Sequence, residues 1–165
     1  MLSAACVSQP EIYAPPAQRK PLDQDVLVRT QPMLDMSEPS VERYIVNDIA
    51  RGQQSAAWRW TGQRPAVKVV LKSTLNLRYY MEFAVAGDTS KDTGPIAITF
   101  LVNGQPIETV KYDSPGSKTF DKLVPVGLLK PMSENMLAAE IDKPWVSKGD
   151  GSKLGVILVK IGLRQ

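Results

Sequence analysis

Histidine is absent from the 165 residues, and that absence excludes more chemistry than any motif supplies. It removes the commonest general base and proton shuttle, and with it serine triads, Cys–His pairs, zinc hydrolysis and His-ligated haem in their usual forms. Cysteine occurs once, at Cys6. No internal disulfide can form, so cysteine usage says nothing about an oxidising compartment. No apolar run approaches the roughly 20 residues that span a bilayer as a helix, so membrane attachment would have to come from a lipid or a partner. Charge of one sign is also scarce: the formal net charge is +3 with the basic residues dispersed, which leaves no electrostatic footprint for nucleic acid. Phosphate-loop and dinucleotide motifs are missing, internal repeats are not evident, and no stretch has convincing amphipathic helical spacing. The segment 126–129 could form a short turn at most. We therefore expect neither an enzyme nor a cofactor.

What is present begins at the N-terminus. Met1-Leu2-Ser3-Ala4-Ala5-Cys6 places small residues at the two positions before the sole cysteine. This resembles the end of a bacterial lipoprotein signal peptide, with Ser3 where that family usually has Leu. The resemblance implies lipidation at Cys6, a membrane anchor and an extracytoplasmic location, at the periplasm or cell surface; the alternative is an ordinary thiol. Residues 7–39 follow as a distinct segment carrying Pro10, Pro15, Pro16, Pro21, Pro32 and Pro39, with one apolar island at Val26-Leu27-Val28. Proline removes amide donors and favours extended backbone, so this segment reads as an arm that either spaces the body from a membrane or lies along a partner.

From residue 40 to residue 165 the pattern has period two. Leu77, Tyr79, Met81, Phe83 and Val85 share one face of a strand, with Arg78, Tyr80 and Glu82 on the other. Ile96, Ile98, Phe100 and Val102 repeat the alternation, and Asn103-Gly104 supplies the positive φ angles of a tight hairpin before a return over 105–112. Further strands are expected at 66–72, 118–124, 135–141 and 154–163, separated by turn clusters such as Ser114-Pro115-Gly116. About 7–8 short strands without crossover helices predict an all-β, antiparallel sandwich or barrel. Phe83, Ile98 and Phe100 should form its core and be intolerant of charge.

Arg59-Trp60-Thr61-Gly62, the Val102-Asn103-Gly104 hairpin and Gly151-Ser152-Lys153-Leu154-Gly155-Val156 together resemble jelly-roll modules related to galactose-binding domains, over roughly residues 41–163. Such modules are found on bacterial cell-surface and polysaccharide-related proteins. Where that family often has acidic and Arg residues before the closing Leu-Gly, this chain has only Asp150 and Lys153, so no ligand site carries over.

Aromatic residues are few, which makes the exceptions informative. Trp58 and Trp60 share a face if 57–61 is extended, and Trp145 lies in a Pro-flanked loop. Sugar-binding sandwiches stack pyranose rings on such side chains. We take Trp58, Tyr80 and Trp145 as the candidate ligand or partner surface and place Trp60 in the core. Asp88, Asp92, Asp142 and Asp150 read as turn caps rather than metal ligands, and no metal is expected. Glu82, Glu108 and Glu140 read as solvated charges on outer strand faces rather than a glycosidase pair. Two functions fit: a non-catalytic accessory lipoprotein that holds a partner protein or membrane complex, and alternatively a carbohydrate-binding module that engages envelope glycans.

Overall fold

The structure is a computed structural model that describes residues 31–52, 55 and 57–165; Cys6 and the Val26-Leu27-Val28 island lie outside the described residues. Eleven strands are present: β1 (Met33–Asp35), β2 (Ile45–Ile49), β3 (Arg59–Val70), β4 (Arg78–Val85), β5 (Ile96–Val102), β6 (Gln105–Tyr112), β7 (Gly116–Leu123), β8 (Glu134–Ile141), β9 (Trp145–Val146), β10 (Lys153–Leu154) and β11 (Ile157–Arg164). A helix, α1 (Gly87–Thr93), and a 3-10 helix at Pro39–Tyr44 complete the described elements. The main sheet runs β6-β5-β8-β3-β11-β4-β7, every pairing antiparallel. It curls on itself because β3 serves both layers: Arg59 and Trp60 pair with β11, and Ala66 to Val70 pair with β8. The result is an antiparallel jelly-roll sandwich: the period-two pattern predicts a sandwich or barrel, and the jelly roll is what the resemblance to galactose-binding-related modules implies.

The core lies between the layers and is aromatic at its centre. Phe100 of β5 stacks on Phe120 of β7 at 3.5 Å, and Tyr79 of β4 meets both rings edge-on at 5.8 and 5.5 Å. Phe83, Ile98 and Phe100 are fully buried, each contributing about 1.5–3 kcal/mol relative to exposure. The Tyr79 hydroxyl donates to the Ala138 carbonyl at 3.0 Å, so its one polar atom is satisfied while burial pushes its acidity far below normal. Glu108 departs from the expected outer-face position. It stands in register with Phe100, on the core side of β6, and pairs with Lys122 of β7 at 3.1 Å across the open edge of the roll.

Other departures have local causes. Asn103-Gly104 forms its hairpin with φ of 50° and 80°, as the dipeptide predicts. The strand expected at 66–72 starts seven residues earlier, at Arg59, because the Pro65 that argues for a boundary is tolerated where β3 changes neighbours. The strand expected at 154–163 is divided at Gly155. The arm assigned to 7–39 yields its last residues to the body: Met33–Asp35 pairs with β11, and Leu34 and Met36 are buried. Helix α1 was not expected, since in Gly87-Asp88-Thr89-Ser90-Lys91-Asp92-Thr93 only Thr89 is buried and there is no apolar stripe to read.

Candidate functional site

One end of the sandwich gathers residues 48–52, Trp58, α1 and the β9–β10 hairpin. Here a cleft of about 560 Å³ opens between three pieces of chain: Asp48 to Ala50, Trp60 to Gly62, and the hairpin residues Ser147, Asp150, Ser152, Lys153 and Leu154. Its geometry follows from two glycines. A Cβ on Gly62 would lie 2.8 Å from Cγ of Asp48, so the missing side chain lets that carboxylate fold against β3. Asp48 itself has φ of 49° and accepts the Arg64 amide at 2.8 Å. A Cβ on Gly155 would meet the Gly62 carbonyl at 2.2 Å. Close approach is used at once: Gly155 N–H donates to Thr61 O at 2.7 Å, Thr61 N–H to Val156 O at 2.9 Å, and Val156 N–H to Thr61 Oγ1 at 2.9 Å. These bonds clamp the hairpin wall to the strand floor.

Side chains in the cleft combine an aromatic wall with a polar rim. Trp60 is half-buried rather than in the core, and Trp58 packs edge-to-face against it at 6.2 Å. Between them Arg59 turns inward and is buried, the alternation expected for an extended 57–61. Its guanidinium donates to the carbonyls of Met36 (3.2 Å), Ala50 (3.1 Å) and Gly52 (3.1 Å) and to the Glu42 carboxylate. Glu42 also accepts the Gly52 amide at 2.8 Å. Gly52 is thus held through both its amide and its carbonyl. On the opposite wall, hydrogen bonds from Ser147 and then Ser152 hold the exposed Asp150 carboxyl down at about 2, so it is ionised throughout the physiological range.

The three residues singled out from sequence fare differently. Trp58 lies against the aromatic wall. Trp145 is on β9, opposite the cleft-lining Leu154, and its indole N–H donates to Asp92 of α1 at 2.8 Å; its contact anchors the hairpin to the helix. Tyr80 is on the outer face of β4, away from the cleft. The Arg164 guanidinium covers its ring at 4.2 Å, and Arg164 and Arg78 share the Asp121 carboxylate, which they hold below its ordinary range. The four aspartates of the turns are engaged locally or exposed: Asp92 by Trp145, Asp142 by the Ala97 amide at 2.8 Å, Asp150 by its serines, while Asp88 is exposed in the first turn of α1. Among the described residues no three acidic or Cys side chains gather as a metal-binding group. Sequence reasoning missed Trp60, Asp48 and Ser152 as cleft residues. The available signal was glycine inside strand patterns, at Gly62 and Gly155, which marks close backbone approach.

No protein-family model matches the chain, and no curated protein matches it in sequence. Solved structures do share its fold. A family 35 carbohydrate binding module from an environmental isolate superposes with a TM-score of 0.51 at 14% identity, over 81% of this chain and 92% of that one. A family GH115 4-O-methyl-alpha-glucuronidase with specificity for decorated arabinogalactans gives 0.51 at 14% identity over 96% of this chain, which spans 20% of the enzyme. At such identities the likeness is one of fold alone, the jelly roll.

Proposed function

We propose that this chain is a non-catalytic carbohydrate-binding module whose ligand, a glycan, enters the Trp60 cleft. One observation carries the reading: a half-buried Trp60 stands in an open cleft whose other walls present Asp48, Asp150, Ser152 and Lys153. A pyranose has an apolar C–H face and a rim of hydroxyls. Indole matches the first, and carboxylate, hydroxyl and ammonium groups match the second. The fold shared with a carbohydrate binding module supports the same reading. Catalysis finds little support in the cleft, where Asp48 and Asp150 each accept local amide hydrogen bonds and Asp150 stays ionised. The accessory-partner reading rested on the anchor-like start at Cys6, the arm at 7–39 and a body without catalytic groups, and the cleft favours the glycan. Export and lipidation at Cys6 complete the proposal, and the intact mass of the native protein tests them.

The cleft is tested with a glycan array followed by titration calorimetry on each hit. Trp60→Ala should weaken binding by about 1.5–3 kcal/mol, roughly tenfold to a hundredfold, with Tyr80→Ala near wild type. Unchanged affinity in Trp60→Ala, or no binding to any glycan, would overturn the assignment.

A further inference from the structure

We infer that the end of the sandwich opposite the cleft is a docking surface for an anionic lipid bilayer. Two loops build this end, residues 71–77 between β3 and β4 and residues 124–133 between β7 and β8. They are fixed to each other and to the body: Val124 N–H donates to Leu77 O at 2.9 Å, Met132 N–H to Leu71 O at 2.8 Å, and Asn103 Nδ2 to Leu128 O at 2.7 Å. Leu71, Leu77, Val124 and Leu129 are buried beneath them. Leu128 packs partly against the core, and the other large apolar side chains of the loops are exposed. Leu75 is 72% exposed, Val126 105%, Met132 55%, and Leu123 at the adjoining end of β7 51%. These are four of the seven exposed large apolar side chains among the described residues. An apolar groove of about 320 Å³, floored by Val70, Leu77 and Leu163, opens at the same end between Lys72 and Arg164.

Charge and shape select the occupant. The two loops contain Lys72 and Lys130, both exposed, and no acidic residue. Arg78, Lys122 and Arg164 lie at the neighbouring strand ends, where Arg78 and Arg164 share Asp121 and Lys122 pairs with Glu108. Glu134, just after the second loop, pairs with Lys68; Lys72 and Lys130 are the basic side chains of the loops themselves. Basic side chains interspersed with aliphatic tips match a bilayer surface, where ammonium groups meet lipid phosphates and Leu, Val and Met enter the acyl boundary. The apolar side chains are spread over both loops and the end of β7, with no aromatic anchor among them, unlike the aromatic-rich centre of a protein interface. The chain also enters the body here, with Pro32 O accepting the Leu163 amide at 2.7 Å.

The test is sedimentation of the full chain, made without lipid modification, with vesicles of phosphatidylcholine plus phosphatidylglycerol and with phosphatidylcholine alone. Wild type should cosediment with the anionic vesicles and lose that binding in high salt. Leu75→Asp/Val126→Asp should lower partitioning by at least about tenfold, and Lys72→Gln/Lys130→Gln should lower it on anionic vesicles only. Both positions of the first variant are exposed, so its thermal unfolding should match wild type. Equal partitioning of wild type and Leu75→Asp/Val126→Asp overturns the proposal. So does a wild-type dimer in light scattering that this variant abolishes, since the tips would then pair two copies. Glycan affinity measured on the same variants should not change, which separates a failure here from a failure of the cleft.

Discussion

Glu42→Ala should destabilise the protein far more than the loss of a partly exposed carboxylate suggests, because of what it leaves behind. The Arg59 side chain is 4% exposed and Glu42 34%. Arginine does not shed its charge in a protein, so without Glu42 a buried guanidinium remains with the carbonyls of Met36, Ala50 and Gly52 and no counter-charge. Breaking a fully buried pair from one side costs about 3–5 kcal/mol. Solvent reaches Glu42 and three carbonyls still solvate the guanidinium, which reduces this to about 2–3 kcal/mol, including the lost Gly52 amide bond. For a domain of this size that lowers Tm by roughly 5–10 °C.

The pH dependence provides the sharper check. The hydrogen bond from Arg59 is the main cause holding the Glu42 carboxyl below its ordinary value of 4.5. A folded-state value below the unfolded one means that the pair contributes fully above about pH 4.5 and that its contribution is lost as pH falls through the folded value. The Tm gap between wild type and Glu42→Ala should therefore be widest near neutrality and shrink in acid. Calorimetric scans of both proteins from pH 7 to pH 3 measure it. A gap that stays constant or widens on acidification, or one under about 1 kcal/mol at pH 7, would refute the reasoning.

Gly155→Ala should cost about 2–4 kcal/mol, since its Cβ would strike the Gly62 carbonyl and break the three-bond clamp with Thr61; urea melts give the loss, and glycan affinity should fall with it. Phe100→Asp should abolish folding, because it removes the ring stacked on Phe120 and buries a carboxylate in its place; near-native far-UV dichroism in that variant would contradict the core. Trp145→Phe should cost about 1 kcal/mol through the lost bond to Asp92, and amide exchange over residues 147–154 should accelerate while β4 stays protected.

Strands were legible where each buries one face. Residues 78–85 and 96–102 alternate strictly, and the structure returns that alternation as buried and half-buried residues in turn. The cleft was not legible because it is built where alternation fails. Trp60 is a large aromatic in an extended segment and reads as core, yet it occurs where β3 passes from one layer to the other and is half-buried there, lining the cleft. Asp48 takes a left-handed backbone conformation that no short motif announces, and it meets Gly62 only through the pairing of β2 with β3. Trp145 looked free because its partner, Asp92, is 53 residues away in a helix with no apolar stripe. The short strand at the end of the 7–39 segment was hidden for a related reason: Met33, Leu34 and Met36 are too few between Pro32 and Pro39 to show a period, and only the pairing with β11 places Leu34 in the core.

The two proposals are compatible because the strands that join the ends are rigid and of fixed length. The eight residues of β4 span roughly 26 Å at the usual rise per residue, from Arg78 beside the apolar loops to Val85 beside α1. A body seated on lipid by Leu75, Val126 and Met132 would hold the Trp60 cleft about that far from the headgroups, facing away from the bilayer. That separation exceeds the Debye length at physiological salt, about 8 Å, so the basic tip and the carboxylates of the cleft do not compete for the same ligand. Salt should weaken vesicle binding steeply, because it screens the lysines from anionic headgroups, and leave binding of an uncharged glycan nearly unchanged, while the length of β4 keeps each site outside the other's field.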